Sequence, residues 1–237
     1  MKTLNVSQPS TGLVDVQADP AQIKNVWQLL PVNDTSVIEL RAISPFGSRP
    51  PITRHYRSEN YKSPDGLKAA FERDAIELNN SGFNIYTVMN PIRPEFSTKA
   101  AKDDDILHRK WLLIDIDKAS AEKRPSRQEE LDAARALAVE VANYLKVDGW
   151  GDPGLVVMSG NGYHLYYDLG QMPNTTESAD LVKRVLAELA RSFDTDTVKV
   201  DRVVHNASRI TKVVGTVARK GENTPETPYR VARMEQL

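Results

Sequence analysis

The chain has 237 residues, of which 40% are hydrophobic and 27% charged, and its formal net charge is -1. This composition predicts a globular protein with a substantial apolar core, and it excludes a disordered, fibrous or generally polycationic chain. The absence of cysteine excludes a disulfide framework and a cysteine-based zinc site. The first residues lack the apolar core of a signal peptide, and no apolar run approaches the ~20 residues that span a bilayer, so we expect a cytoplasmic protein with no membrane partner.

Residues 1–95 predict a small α/β unit. Asp19-Pro20 is typical of the start of a short helix, which Pro31 ends. A strand is expected near residues 36–43, and a second helix is expected to open at Ser63-Pro64. The residues between them, rich in Pro, Gly and Arg, predict loops around one short strand. A further strand is expected at residues 83–91, followed by a polar stretch that leads out of the unit.

Residues 105–237 predict a second unit, in which strands and helices follow the order β-α-β-β-α-β. The strands are expected at residues 111–118, 155–159, 163–168 and 198–204. Ser126 with Glu129, and Asn174 with Glu177, predict where the two helices begin, and Asn161-Gly162 predicts a hairpin turn. This order is the ferredoxin-like, RRM-like split unit. The predicted fold class is therefore α+β, a ferredoxin-like unit packed with the smaller N-terminal α/β unit.

The first strand of the second unit, WLLIDIDK, carries two aspartates. Because alternate side chains of a strand point to the same face, Asp115 and Asp117 are expected on one face and the aliphatic residues between them on the other. In the ferredoxin-like order the third and fourth strands flank the first, which predicts that His164 and Asp201 lie beside this pair. Both helices cover one face of the sheet, and the face with these residues and Tyr166 is left for a ligand.

Three segments of this unit, LLIDID, SGNGYHLYY and VDRVVHNASRITKVVGTVARKG, resemble the three-motif signature of the archaeo-eukaryotic primase superfamily, in particular phage and plasmid primase-polymerase domains. The resemblance covers residues 111–221. The first motif is matched by Asp115 and Asp117, the small-x-His motif by residues 162–164 and the third motif by Asp201. The resemblance implies a DNA primase or primase-polymerase, which extends or starts a strand by template-dependent nucleotidyl transfer.

Nucleotidyl transfer in this family implies two divalent ions, Mg²⁺ or Mn²⁺, because two ions stabilise the attacking and leaving oxygens of the α-phosphate. Asp115, Asp117 and Asp201 are the expected catalytic carboxylates and metal ligands. Since Mg²⁺ prefers oxygen, His164 is assigned to the triphosphate. The further nucleotide-binding candidates, which offer positive charge or hydrogen-bond donors, are Ser159, Asn161, Asn206, Arg209, Lys212 and Lys220. The implied partners are nucleoside triphosphates, single-stranded DNA template and primer, and a replicative helicase, fused or separate.

Two segments are rich in Arg and Lys: residues 41–62, with one acid, and residues 202–220, with none after Asp201. In the first, Arg54, Arg57 and Lys62 alternate with tyrosines and are candidates for tracking a nucleic-acid strand. The alternative is a solvated surface loop.

Other interpretations of the second unit stay open. A D-x-D pair also occurs in nucleotide-sugar transferases, and a ferredoxin-like sheet can be a catalytically silent nucleic-acid-binding or replication-initiator module, or a nucleotide cyclase. The three consecutive acids at residues 103–105 are interpreted as a solvated loop. The residues do not discriminate ribonucleotides from deoxyribonucleotides.

Overall fold

The structure is a computed structural model that describes residues 16–237. Its helices are α1 (Pro20–Ile23), α2 (Val26–Leu29), α3 (Pro64–Asn80), α4 (Gln128–Val147) and α5 (Thr176–Phe193), with 3₁₀ turns at Ser58–Asn60 and Asp103–Asp105. Its strands are β1 (Val37–Ile43), β2 (Ile52–Arg57), β3 (Asn84–Val88), β4 (His108–Lys118), β5 (Leu155–Met158), β6 (Tyr163–Pro173), β7 (Val198–Val200), β8 (Ile210–Lys212), β9 (Val217–Ala218), β10 (Arg230–Val231) and β11 (Arg233–Met234).

The first sheet is antiparallel and has the strand order β2-β1-β3-β8. Helix α3 packs on this sheet through Leu67, Phe71 and Ala75, which recur at helical spacing and are fully buried. The side chain of Ser63 caps the helix by accepting a hydrogen bond from the Gly66 amide at 3.3 Å, as the Ser63-Pro64 start predicts. Strand β8 belongs to this sheet, although the preceding strand β7 belongs to the second sheet. The chain therefore passes between the two sheets more than once.

The second sheet has the order β11-β5-β6-β4-β7. Without the edge strand β11, the order β5-β6-β4-β7 is the ferredoxin-like arrangement. The first and third strands of that unit, β4 and β6, are central neighbours. Helices α4 and α5 pack on one face. The predicted α+β fold with a ferredoxin-like unit is confirmed. The division into residues 1–95 and 105–237 stays a prediction, since β8 pairs with β3 across it.

Strand β4 shows the alternation expected of it. Leu112, Ile114 and Ile116 are buried beneath the helices, and the aspartates lie on the other face, partly exposed. Part of that second face is covered by the first sheet, because the Tyr166 hydroxyl hydrogen-bonds Thr211 of β8. Tyr166 therefore belongs to the core between the sheets, and only the remainder of the face is open to a ligand.

The residues that cap the N-termini of α4 and α5 each lie one position after the predicted residue. Arg127, not Ser126, precedes α4, and its amide donates to Glu130 Oε2 at 2.7 Å. The reason is Arg124, whose guanidinium makes two 2.7 Å bonds to the Glu130 carboxylate and fixes that residue in the first turn. Thr175, not Asn174, caps α5.

The hairpin between β5 and β6 is present, but its turn differs from the expected one. The loop spans residues 159–162, and the left-handed residue is Gly160, with φ 102°, not Asn161. Gly162 serves a different purpose: a Cβ placed there would lie 2.1 Å from the Ile116 carbonyl oxygen of β4. Glycine at this position lets the loop approach the aspartate strand closely.

None of the helices in residues 16–237 has the length and apolar character needed to cross a bilayer.

Candidate active site

Strand register brings three of the predicted side chains onto one line across the sheet. In β4 and β6, Asp115 lies directly opposite His164. On the other side, the Asp201 amide donates to the Asp115 carbonyl at 2.8 Å, in continuation of the β4–β7 register. Residues opposite each other in antiparallel strands share a face, so Asp201, Asp115 and His164 project together. Asp117 follows on the same face of β4.

Asp115 is the central carboxylate of this group. Its Oδ1 lies 3.4 Å from His164 Nε2, while His164 Nδ1 is held by the Tyr166 hydroxyl at 3.1 Å. Burial raises the pKa of Asp115, but the charges of His164, Arg209 and Lys220 outweigh burial and lower the pKa below its usual value. Asp115 is therefore ionised at neutral pH.

Asp117 has the opposite electrostatic balance. Burial and the negative charge of Asp115 raise its pKa, and Lys220, whose Nζ is 3.7 Å from Asp117 Oδ2, offsets this only in part. Two carboxylates that face the same side of one strand thus disfavour each other's ionised form. Such a pair attracts a further cation.

Asp201 is held at the start of the next loop. Its Oδ1 accepts the Val203 amide at 2.8 Å, and its Oδ2 lies 3.7 Å from Arg209 Nη2. Arg209 therefore stands beside Asp201 while its charge also acts on Asp115.

The donor set suits a hard divalent cation only in part. Carboxylate oxygens are the ligands that Mg²⁺ and Mn²⁺ prefer, and Asp115 and Asp117 offer them on one face of one strand. Within residues 16–237, however, no three His, Asp or Glu side chains are arranged to enclose a metal ion by themselves. Mg²⁺ usually keeps several waters and takes substrate phosphates as ligands, so a pair of aspartates is a sufficient protein contribution for one ion.

Asp115, Asp117 and His164 open into a cleft of about 530 Å³ between the two sheets, and the predicted residues Asp201 and Asn206 are not among those that line it. The predicted residues that line the cleft are Asp115, Asp117, Ser159, Asn161, His164, Arg209, Lys212 and Lys220. The other wall comes from the first sheet and was not foreseen from the sequence; Tyr86 and Asn84 lie on it. Asn84 binds both backbone groups of Arg219, at 2.8 and 2.7 Å, and so fixes the residue before Lys220.

Lys212 lies at the back of the cleft and is almost fully buried. Its Nζ donates to the Val217 carbonyl at 2.9 Å and approaches Asn84 Oδ1 at 3.4 Å. Burial, together with the charge of Arg219, holds the pKa of Lys212 well below its usual value. Arg209 and Lys220, in contrast, face the carboxylates.

Three predicted nucleotide contacts make hydrogen bonds within the protein. Asn161 Oδ1 accepts the Ser126 amide at 3.1 Å, the Ser159 hydroxyl bonds to Gly162 of its own loop, and Asn206 Nδ2 lies 3.4 Å from the Ser208 hydroxyl. Their nucleotide-binding role stays a prediction.

The predicted nucleic-acid contacts Arg54, Arg57 and Lys62 are not among the residues that line the cleft. Arg54 pairs with Asp74 at 2.7 Å, and Arg57 donates to the carbonyls of Pro94 and Phe96. Lys62 is exposed. Contact between these residues and nucleic acid also stays a prediction.

A second cavity, of about 370 Å³, lies at the other end of β1 and β3, around Val37, Val88 and Pro91. Its lining is mostly apolar and contains no carboxylate. The candidate active site is therefore the cleft at Asp115 and Asp117.

The sequence matches no family model and no curated protein. Solved structures do match. The primase-polymerase domain of cyanophage S-2L aligns over 93% of this chain and 91% of its own, with 17% identity and a TM-score of 0.52. The chain has the fold of the archaeo-eukaryotic primases. The predicted resemblance to that superfamily is thus confirmed at the level of the fold, and the match of the three motifs stays a prediction.

Two other archaeo-eukaryotic primase folds agree. Primase RepB′ aligns over 92% of this chain with 12% identity and a TM-score of 0.51, and the chain spans 56% of that protein. The polymerase domain of Mycobacterium tuberculosis ligase D, solved in complex with DNA, aligns over 90% of this chain and 78% of its own, with 17% identity and a TM-score of 0.50.

Proposed function

We propose that the protein is a nucleotidyltransferase, a DNA primase or primase-polymerase that joins nucleoside triphosphates to a strand on a single-stranded DNA template. The observation that carries the proposal is the line of Asp201, Asp115 and His164 across three neighbouring strands, with Asp117 on the same face of β4 and with Arg209 and Lys220 beside the aspartates. The primase fold supports the same reaction class.

In this reaction a 3′-hydroxyl attacks the α-phosphate, and pyrophosphate leaves. Asp115 and Asp117 would hold Mg²⁺ or Mn²⁺ together with Asp201, and the bound ions would supply the positive charge that stabilises the attacking and leaving oxygens. Asp115 is suited to this task because it is already ionised at neutral pH. A bound cation would also favour the ionised form of Asp117, because it would offset the charge of the neighbouring carboxylate.

The cations beside the carboxylates are suited to the triphosphate. Lys220 Nζ and Arg209 Nη2 lie 3.7 Å from their acids, which is beyond a good hydrogen bond. Each is therefore only loosely held and can turn towards phosphate oxygens, where a charge-assisted bond is stronger. His164 lines the cleft and is fixed from behind by Tyr166, and its Nε2 lies 3.4 Å from Asp115 Oδ1. Its assignment to the triphosphate requires Nε2 to donate to a phosphate oxygen beside that carboxylate.

We further propose single-stranded DNA template and primer, and a replicative helicase, fused or separate, as partners. The DNA complex of the ligase D polymerase domain supports the first of these. The competing candidate is a catalytically silent nucleic-acid-binding module. One observation favours it: Arg209 and Lys220 already neutralise part of the carboxylate charge.

The test is incubation with labelled nucleotides, Mg²⁺ or Mn²⁺, and single-stranded DNA with and without a primer. We expect incorporation by the unaltered protein and a loss of at least roughly 10²-fold in Asp115→Asn and in Asp117→Asn, the scale for removing a group that stabilises transition-state charge. The matched control is Asp168→Asn, a more exposed acid on β6 that pairs with Lys110.

Melting temperatures and DNA binding of the aspartate variants should stay near those of the unaltered protein, because both side chains are partly exposed. Incorporation that survives both substitutions would exclude the assigned site. DNA binding without any incorporation would establish the silent module.

A further inference from the structure

The loop of residues 201–209 joins β7 of the second sheet to β8 of the first and contains no helix or strand. It begins at Asp201 and ends at Arg209, so both members of that 3.7 Å pair depend on its shape. A nine-residue irregular segment does not hold such a geometry by itself, because each unconstrained residue costs conformational entropy. Contacts from outside the loop must therefore define it.

Side chains from residues 90–109 supply these contacts. Asn90 Nδ2 donates to the Ala207 carbonyl at 2.8 Å, and Arg109 Nη1 donates to the His205 carbonyl at 2.7 Å. Asn90 and Arg109 are both buried. They hold the middle of the loop and contribute to the stability of the fold.

The third contact is made by Asp103 and lies next to Arg209. Asp103 Oδ1 accepts hydrogen bonds from the amide and the hydroxyl of Ser208, both at 2.7 Å. Burial raises the pKa of Asp103, but the two bonds from Ser208 and the charge of Arg109 lower it overall, so the residue is ionised at neutral pH. Asp103 is itself fixed, since Asn174 Nδ2 donates to its carbonyl at 2.7 Å.

The neighbouring acids of the same run act differently. Asp104 is exposed, and Asp105 accepts the Lys102 amide within its own turn. Asp103 is itself exposed, as the interpretation of residues 103–105 as a solvated loop predicts, but it also holds Ser208. Only the first acid of the run reaches the active-site loop.

We propose that Asp103 is a positioning residue for nucleotidyl transfer: by fixing the backbone and hydroxyl of Ser208, it sets the pose of Arg209 over Asp201 and Asp115. The inference rests on the proposed function. A small displacement of Arg209 would weaken its contact with a triphosphate, and misplacement by about 1 Å of a group that orients substrate can cost roughly 10²-fold in rate.

The experiment measures primer extension against nucleotide concentration. We expect Asp103→Ala to lower kcat/KM by roughly 10-fold or more, within the range for a misplaced group. The Asp103→Asn variant should keep most of the activity, because its amide oxygen can still accept both bonds from Ser208. Asp104→Ala, the adjacent exposed acid, is the matched control and should resemble the unaltered protein.

A double-substitution cycle separates positioning from stability. If Asp103 acts through Arg209, adding Asp103→Ala to Arg209→Ala should cause little further loss of kcat/KM, whereas independent effects would multiply. If Asp103→Ala does not fold, Ser208→Ala removes one of the two donors and is tested in the same cycle.

Equal kinetics of Asp103→Ala and Asp104→Ala, or multiplying effects in the cycle, would overturn the inference while leaving the proposed function intact. Absence of incorporation by the unaltered protein would instead overturn the proposed function, and this inference with it.

Discussion

Two segments of the chain are similarly rich in arginine and lysine, but the structure uses them differently. In residues 41–62, Arg54 pairs with a carboxylate of α3 and Arg57 donates to two backbone carbonyls. In residues 202–220, Arg209 and Lys220 line the cleft and stand 3.7 Å from Asp201 and Asp117, respectively. The first pair stabilises the fold, and the second faces a site.

The difference shows that the role of an arginine or lysine is indicated by the group with which it pairs. The number of such residues in a segment does not indicate it. Arg54 and Arg57 make short hydrogen bonds that a phosphate would have to displace. Arg209 and Lys220 lie 3.7 Å from carboxylates, which is too far for a good hydrogen bond. They can therefore bind a phosphate without breaking a short hydrogen bond.

The largest expected effect comes from removing the second pair. Arg209→Ala and Lys220→Ala should each lower kcat/KM for nucleotide incorporation by roughly 10²-fold, because each removes a charge that offsets the triphosphate. Arg57→Ala should instead lower the free energy of unfolding by about 0.5–1.5 kcal/mol, since it removes the donor to the carbonyls of Pro94 and Phe96, which water can replace only in part. Steady-state kinetics and denaturant unfolding of all three variants measure the contrast.

An equal effect of Arg57→Ala and Arg209→Ala on nucleotide binding would contradict the comparison. If Arg57→Ala raised the KM for nucleotide as much as Arg209→Ala, the two segments would not differ in role.

Much of this site could be predicted because its determinants are local or topological. Alternation along β4 places Asp115 and Asp117 on one face, and the ferredoxin-like order brings His164 and Asp201 to the same line. The regular order of elements after residue 110 made that topology recognisable.

The rest depends on contacts between segments distant in sequence. Nothing local to residues 210–212 indicates that they extend the first sheet, so the contribution of Tyr86 and Asn84 to the cleft could not be foreseen. The same holds for Asp103, whose partner Ser208 is 105 residues away. The first acid of the run is exposed as predicted, and only the structure shows that it also binds the active-site loop.

A smaller effect is expected from Lys212, the buried cation of the second segment. Because its folded-state pKa lies below the ordinary value of about 10.4, the unfolded chain binds more protons between the two values, and stability should rise with pH across that window. Lys212→Met should flatten this rise and leave stability at pH 7 equal or higher. The Val217 carbonyl and Asn84 Oδ1, which accept from Lys212 Nζ, each keep another donor. Asn79 still donates to the Val217 carbonyl, and the Arg219 amide still donates to Asn84 Oδ1.

Denaturant unfolding at neutral and alkaline pH measures this difference, with the exposed Lys183→Met of α5 as control. Parallel pH profiles for Lys212→Met and the unaltered protein would show that the ammonium is solvated or paired in the folded state.

The smallest effect is expected from Lys62, the exposed member of the first segment, which has no salt-bridge partner within residues 16–237. If it contacts one phosphate of a single strand, Lys62→Ala should weaken binding modestly and reduce the slope of log K against log salt concentration by about 0.7. Fluorescence titration of a labelled oligonucleotide at several salt concentrations measures the slope, with Lys183→Ala as the matched control. Identical slopes for both variants and the unaltered protein would mean that Lys62 makes no phosphate contact, which would confine the strand-binding charge to other surfaces and make the contrast between the two segments complete.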